Sequence, residues 1–322
     1  MGILPAENKG GLFTAVSTML HTAMDSNGRM IIPAQFGRGY LQAFNFNPGL
    51  RMMIRDYELK ESLPVEKKTP HCYTESVFLL FQTSFLGDPE NTQPVSTVQV
   101  FPEHVDAAIL FPATTVFKSI VIAVKVAYLK ELLKADPGNG TLAAITRADH
   151  PFLFETLMPS SIHKITREIF EANVPVALSN FFFKVKAEEL IYLLFAELFK
   201  RENAGVAALN STDIQTIYKI RNRLLSQLNT PPDVSELALQ ANFSKSKLTR
   251  LFRQIFGTGI FQYYQAFRME EAARLLKAEQ LSVSEVGYQM GFSNLSHFSR
   301  TFEKHIGMKP KKYSQLFQQA AH

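Results

Sequence analysis

The chain has 322 residues, 46% apolar and 20% charged, the composition of a globular protein long enough for two domains. No apolar run approaches the roughly 20 residues of a membrane helix. The single cysteine, Cys72, excludes an internal disulfide framework and suits a reducing cytoplasm. The net charge of +5 is uneven: residues 221–322 hold 14 Lys/Arg against 7 Asp/Glu, leaving 20 against 22 for the rest. A basic final third beside a near-neutral front is the asymmetry expected when one domain meets a polyanion; a solvated basic surface is the plainer alternative.

The first 35 residues are weakly patterned, with a helix over Phe13–Met24 and then a loop. They lack the basic start, apolar block and small-residue cleavage site of a signal peptide, and Ala6 stands where a myristoylation signal has Ser or Thr, so neither is expected. From Gly39 to Lys125 the chain reads as strands. "GYLQAFNF" and "LRMMIRDYEL" are joined by "NPG" at Asn47–Gly49, a turn signal between two β-leaning runs. Further runs at Ser76–Phe85, Ser96–Phe101, Asp106–Phe111 and Phe117–Val124 are separated by loops rich in Pro, Asp and Asn. This spacing predicts a small barrel or sandwich over about residues 36–126. Its runs are rich in Phe and Met. Most such residues form core, but a lined cavity for an apolar or aromatic effector is an alternative, with Phe44, Phe46, Met53, Phe78 and Phe81 as candidate contacts.

The pattern turns helical over residues 127–204. Ala127–Asp136 has apolar residues at three- and four-residue spacing and stops at "PGNG"; Ser160–Asn173 forms a second helix that ends before Pro175. A third runs from Phe182 to Asn203, with Ala187, Leu190, Ile191, Leu194 and Leu198 on its apolar face and Phe195 and Phe199 outside the tightest stripe. A helix this apolar needs cover on two sides. The barrel supplies one. The other is either a second copy, making Leu190, Ile191, Leu194 and Leu198 dimer contacts, or burial within one subunit. The small, polar segment 205–212 reads as a linker, and residues 213–322 as an all-helical domain.

That domain contains a repeat. "SELALQANFS" (Ser235–Ser244) aligns with "SEVGYQMGFS" (Ser284–Ser293) at an offset of 49 residues. After one inserted residue, Leu248, Arg250, Phe252 and Gly257 align with Phe298, Arg300, Phe302 and Gly307 at an offset of 50. Each copy reads as a short helix, a tight turn and a second helix, the shape of a helix-turn-helix. Ala238 and Gly287 are small enough for a close crossing, Phe243 and Phe292 plug it, and Ser244 and Ser293 cap or nearly cap the second helix. The second helix of such a unit enters a major groove and presents its N-terminal turns to base edges. Periodicity leaves Ser246, Lys247, Thr249 and Arg250 outside in the first copy, and Leu295, Ser296, His297 and Arg300 near the exposed turns of the second. Arginine can read guanine, and small or apolar side chains can touch a thymine methyl. Arg253, Lys304, Lys309, Lys311 and Lys312 are placed for phosphates. For any one of them a solvated polar face is the better reading; the two copies together point to DNA. The intervening "GIFQYYQAFRMEEAARLLKAEQ" predicts a connecting helix about 30 Å long, close to the ~34 Å repeat of the major groove. One monomer would then read two groove segments.

Residues of about 218–320 resemble the C-terminal DNA-binding domain of the AraC/XylS family of bacterial transcription regulators. The resemblance rests on A-x5-S-x3-L-x-R-x-F at Ala238–Phe252, R-x3-A-x2-LL at Arg268–Leu276 and GF-x5-F-SR-x-F-x4-G-x-x-P-x2-Y from Gly291 to Tyr313. It implies double-stranded DNA and RNA polymerase as partners, and base contact by Ser246, Lys247, Thr249, Arg250, Leu295, Ser296, His297 and Arg300. The departures are Gly287 in place of the usual Ala, Ser246 where a larger groove reader occurs, and Ser314 where Arg often follows Tyr. "GRGYLQAFNFNPGLRMMIRDYEL" followed by "ESVFLLFQTSF" is similar to the cupin-like sensor of the subgroup that includes siderophore-responsive regulators. That implies a small-molecule effector in the barrel and dimerisation through the adjoining helices.

Other chemistry finds little support. His71 and Cys72 are neighbours, and sequence neighbours on a strand point to opposite faces, a poor nucleophile–base pair. His71, Glu75, Glu103 and His104 lack the histidine clustering of a cupin metal site, so no metal and no cofactor are expected. There is no Walker-type loop, HExxH or GxSxG. The expectation is an α+β, non-enzymatic, cytoplasmic regulator: a sensor and dimerisation domain over 1–204, then two helix-turn-helix units joined by a helix. The alternative is a small-molecule-binding or enzymatic barrel with an incidental helical tail.

Overall fold

The computed structural model describes residues 16–17, 19–61, 63–65, 76–84, 96–102, 109–111, 116–134, 140–146, 152–200, 209–278 and 281–318. Linker positions 205–208 and His71, Cys72, Glu75, Glu103 and His104 lie outside the described residues. The chain divides into two compact units, one ending at Ser211 and the other running on from Thr212.

The first unit is built on strands β1 (Arg29–Ile31), β2 (Gly37–Asn47), β3 (Leu50–Leu59), β4 (Leu63–Val65), β5 (Ser76–Ser84), β6 (Thr97–Pro102), β7 (Ile109–Phe111), β8 (Phe117–Lys125) and β9 (Phe154–Leu157). Seven form one antiparallel sheet in the order β1-β2-β3-β8-β5-β6-β9, while β4 pairs with β7. The β2–β3 turn is the one marked by "NPG": Asn47 Oδ1 accepts from Gly49 N at 2.8 Å, the side chain standing in for a backbone acceptor. Three strands are absent from the sequence reading. β1 and β4 are three residues long, and β9, of four residues, lies beyond two helices from its partner β6; segments this short carry no readable period.

The helices of this unit that follow the strands are α1 (Val126–Leu133), α2 (Gly140–Thr146), α3 (Ser160–Phe170) and α4 (Val176–Leu198). α2 starts on Gly140, the last residue of the "PGNG" that reads as a stop. α4 starts earlier than its periodicity suggests, directly after Pro175, whose missing N–H costs nothing at a helix start.

The sheet is buried on both faces. On one, Phe44, Met52, Leu79, Ile122, Val100 and Phe154 form a core with Ile162, Ile165 and Ile169 of α3 and Phe183, Ala187, Leu190, Ile191, Leu194, Phe195 and Leu198 of α4. Leu190, Ile191, Leu194 and Leu198 are at most 1% exposed, so the chain's own core covers the face offered above as a dimer contact. That corrects the dimer assignment for these four residues: fully buried side chains have no surface left for a second copy. On the other sheet face Met30, Ile32, Leu41, Tyr57, Leu59 and Phe117 form a smaller cluster with Phe36 and Met53 against it.

The second unit is helical: α5 (Ser211–Leu225), α6 (Val234–Gln240), α7 (Lys245–Phe256), α8 (Ile260–Ala278), α9 (Val283–Gln289), α10 (Leu295–Ile306) and α11 (Pro310–Gln318).

Candidate nucleic-acid interface

The second unit carries two helix pairs, α6–α7 and α9–α10, one at each end of α8. Side chains define their boundaries. Asp233 caps α6, its carboxylate accepting from Ser235 N and Glu236 N, and these bonds hold its pKa below the usual carboxylate range. Ser282 caps α9 in a reciprocal box with Glu285, which holds the Glu285 carboxyl low in the same way. The turn of the first pair passes through Asn242 at φ +53°, and that of the second through Gly291 at φ +74°, the left-handed region that Asn and Gly tolerate best. The second helices then start with different caps. Ser244 Oγ accepts from Lys247 N at 3.1 Å, and Asn294 Oδ1 accepts from His297 N at 3.0 Å. The residue inserted between the two repeats therefore lies between the left-handed residue and the cap, and Asn294, not Ser293, is the cap. Both helices end on a left-handed glycine, Gly257 and Gly307.

Leu248, Leu251, Phe252 and Ile255 bury one face of α7, and Phe298 and Phe302 one face of α10. The opposite face of α7 exposes Ser246, Thr249, Arg250 and Arg253; that of α10 exposes Ser296, His297, Arg300 and Lys304, and α11 exposes Lys311. Two of the sequence-derived contacts sit differently. Lys247 is half-buried, paired at 2.9 Å with Asp213 of α5 and lying 4.0 Å from the centroid of the Phe243 ring. Leu295 is half-buried over the crossing of α9 and α10; a Cβ on Gly287 would stand 2.7 Å from Leu295 Cδ2 and 3.2 Å from Phe298 Cδ1. The usual alanine here would push Leu295 outward, which gives the departure at Gly287 a physical reason.

The two pairs are tied to α8 and to each other. Tyr264 Oη donates to Leu228 O at 2.7 Å, before the first pair. Arg268 Nε donates to Met290 O at 2.7 Å, its Nη2 donates to the same carbonyl, and its guanidinium lies 3.8 Å from the centroid of the Phe292 ring, inside the second pair. Burial lowers the Arg268 pKa, with the nearby Tyr264 opposing. Gly291 closes the contact: a Cβ there would fall 2.0 Å from Asn229 O. Sequence periodicity does not reveal Asp213 or Arg268 as organising residues, because their partners lie 34 and 22 positions away.

The candidate effector residues do not share a face. Phe44, Phe46 and Phe81 lie on the helix-covered side, with Phe44 4.4 Å from the Phe183 ring; strand alternation puts Met53 and Phe78 on the other. No group of three or more His, Cys, Asp or Glu that could hold a metal occurs among the described residues, and no described helix is long and apolar enough to cross a membrane.

Residues 237–315 match the family model described as a helix-turn-helix domain. The chain is 27% identical over 143 residues to the HTH-type transcriptional regulator GlxA of Rhizobium meliloti, covering 44% of each protein. It is 30% identical over 87 residues to the probable transcription factor PqrA of Proteus vulgaris, covering 27% of this chain and 71% of that one. Among solved structures, the DNA-binding domain of AdpA in complex with a target DNA is 27% identical, with a TM-score of 0.31 over 33% of this chain and 95% of that one. The chain spans about half the length, or less, of GlxA and of the Msm operon regulatory protein of Streptococcus mutans.

Proposed function

The chain belongs to the AraC-type family of helix-turn-helix transcription regulators, and from that premise we propose that it binds double-stranded DNA in a sequence-specific manner and reads two successive major-groove segments per monomer. The observation that carries the reading is the equivalence of Arg250 and Arg300. Each is exposed on the second helix of its pair, on the face opposite the buried one, and both pairs are anchored to α8. α8 has 19 residues, a length of about 28 Å, which supports spacing the heads by nearly one turn of DNA. Ser246, Thr249, Ser296 and His297 accompany the arginines toward base edges. Arg253, Lys304 and Lys311 meet phosphates, and Lys247 and Leu295 contribute from the margins. Binding weakens as salt rises, because each neutralised phosphate releases counterions.

The sheet unit, read as a cupin-like barrel, acts as the sensor in this proposal. Its effector changes DNA binding or transcription through different affinities for two states. RNA polymerase and a second copy are the further partners that the family resemblance suggests. The test is base preference in Arg250→Ala and Arg300→Ala. Each is expected to lose about 1–3 kcal/mol on its best site and to relax choice at one defined base position. A variant that weakens every sequence by one common factor would make its arginine a phosphate contact and remove the base-reading assignment.

A further inference from the structure

The face of the sheet turned away from α3 and α4 carries an unusual row. Cross-strand register sets Arg55 of β3 opposite Ser119 of β8, Ser119 opposite Gln82 of β5, and Gln82 opposite Thr97 of β6. Directly opposed residues point to one face, so these four side chains form a polar line across four strands. All are buried, at 5%, 0%, 2% and 3% exposure. Leu41 extends the row on β2, and Met53 and Phe117 lie two positions along their strands from Arg55 and Ser119. The Arg55 end of the line is thus set among apolar side chains; beyond its Thr97 end, Gln99 on the same face donates to the buried carboxylate of Glu155 at 2.8 Å.

Two members are poorly served. Arg55 Nε donates to Ser119 Oγ at 2.7 Å and the guanidinium lies 5.1 Å from the centroid of the Phe117 ring; no carboxylate is among its partners in the described residues. Gln82 Nε2 is buried with no hydrogen-bond partner. A buried charge without a counter-ion and a buried amide without an acceptor are each costly to keep. Burial lowers the Arg55 pKa to about 10, with Tyr57 opposing, so the group remains a cation at neutral pH. A guanidinium presents a planar fork matched to a carboxylate, and most of its donors are unused here.

We propose that this row is the ligand site of the sheet unit, and that its ligand is a small organic acid whose carboxylate pairs with Arg55 and Ser119 while a second acceptor takes the Gln82 amide. Gln82 stands two strands from Arg55, about 10 Å across the sheet, which sets the scale of the molecule. This rests on the reading of the unit as a sensor and names the chemistry of what it senses. Selection for an acid over its neutral amide follows from the charge left unpaired when the amide binds.

The test uses the full-length protein, with acetate, hexanoate, phenylacetate and 4-oxopentanoate each set beside its primary amide, followed by calorimetry and thermal shift. At least one acid is expected to bind about tenfold or more tightly than its amide and to raise the melting temperature. 4-Oxopentanoate, which offers a second acceptor, should lose affinity in Gln82→Leu while hexanoate does not. Arg55→Met should abolish the preference and melt no lower than the wild type, since it removes an uncompensated buried charge. If it does not fold, Arg55→Lys, which keeps the charge and loses the fork, should bind the acids more weakly. Equal response to acids and amides, or acid preference that survives loss of the guanidinium, overturns the proposal. DNA binding by the same preparations is scored separately. DNA recognition with indifference to acids removes only the anion site. Acid recognition without DNA recognition removes the regulator reading and leaves the site standing.

Discussion

The two helix pairs have one plan and two ways of being held. In the first, the turn residue is Asn242, the cap follows two residues later, and the start of α7 is tied back to α5 by the half-buried Lys247–Asp213 ion pair. In the second, the turn residue is Gly291, the cap follows three residues later, and the turn is clamped from α8 by the buried Arg268. A repeat conserves the crossing and the exposed arginine, while the attachment of each copy to its neighbours is free to differ. The second pair depends on a buried anchor; the first depends on a half-buried one that water and salt reach.

Arg268→Ala should break the comparison most severely. It leaves Met290 O without a donor and Phe292 without its cation, at an expected cost of about 2–3 kcal/mol, read by chemical denaturation of the full chain. Gly291→Ala comes next. It combines a left-handed backbone with a Cβ driven into Asn229 O, and about 2 kcal/mol is expected. Gly307→Ala is its internal control, since its φ is +85° but nothing lies within 4 Å of the added atom; about 1 kcal/mol, from backbone strain alone, is expected. Equal losses at the two glycines would mean that the contact with Asn229 contributes nothing. For the first pair, a double-mutant cycle on Asp213→Asn and Lys247→Met should give a coupling below about 1 kcal/mol that shrinks with added salt.

The smallest expected effect concerns the two acidic residues at the helix starts, Asp233 and Glu285, whose carboxyl pKa values are depressed in the fold by hydrogen bonds from Ser235 and Ser282 respectively. A depressed folded pKa contributes stability that is present above the unfolded value, about 4, and lost as pH falls through the folded value below it. The melting-temperature gap between the wild type and Asp233→Asn or Glu285→Gln should therefore be open at pH 7 and close as the pH falls below about 4. A gap that stays unchanged as the pH is taken well below about 4 would mean that the charge on these carboxylates is irrelevant.

Much of the second unit was legible because its signals are local. Caps, left-handed turn residues and the three- and four-residue spacing of Leu248, Leu251, Phe252 and Ile255 all lie within a few positions of one another. The sheet was legible as strands but not as faces. Phe44 and Met53 read alike as aromatic and sulfur-bearing strand residues, and only the register of β2 with β3 separates them. The same holds for Arg55. Arg55, the second of two arginines inside "LRMMIRDYEL", is visible in the sequence, yet its companions Ser119, Gln82 and Thr97 come from three other strands. β9 was missed because a four-residue strand that joins a distant partner is specified by the sheet it completes.

The central claim, that one chain reads two groove segments, is tested most directly by selecting bound fragments of the source genome with the purified full-length protein and sequencing them. Two short motifs are expected, separated by about 10–10.5 base pairs, with Arg250→Ala degrading one and Arg300→Ala the other. A single motif, degraded by only one of the two substitutions, would contradict the claim and leave one helix pair as a scaffold for the other.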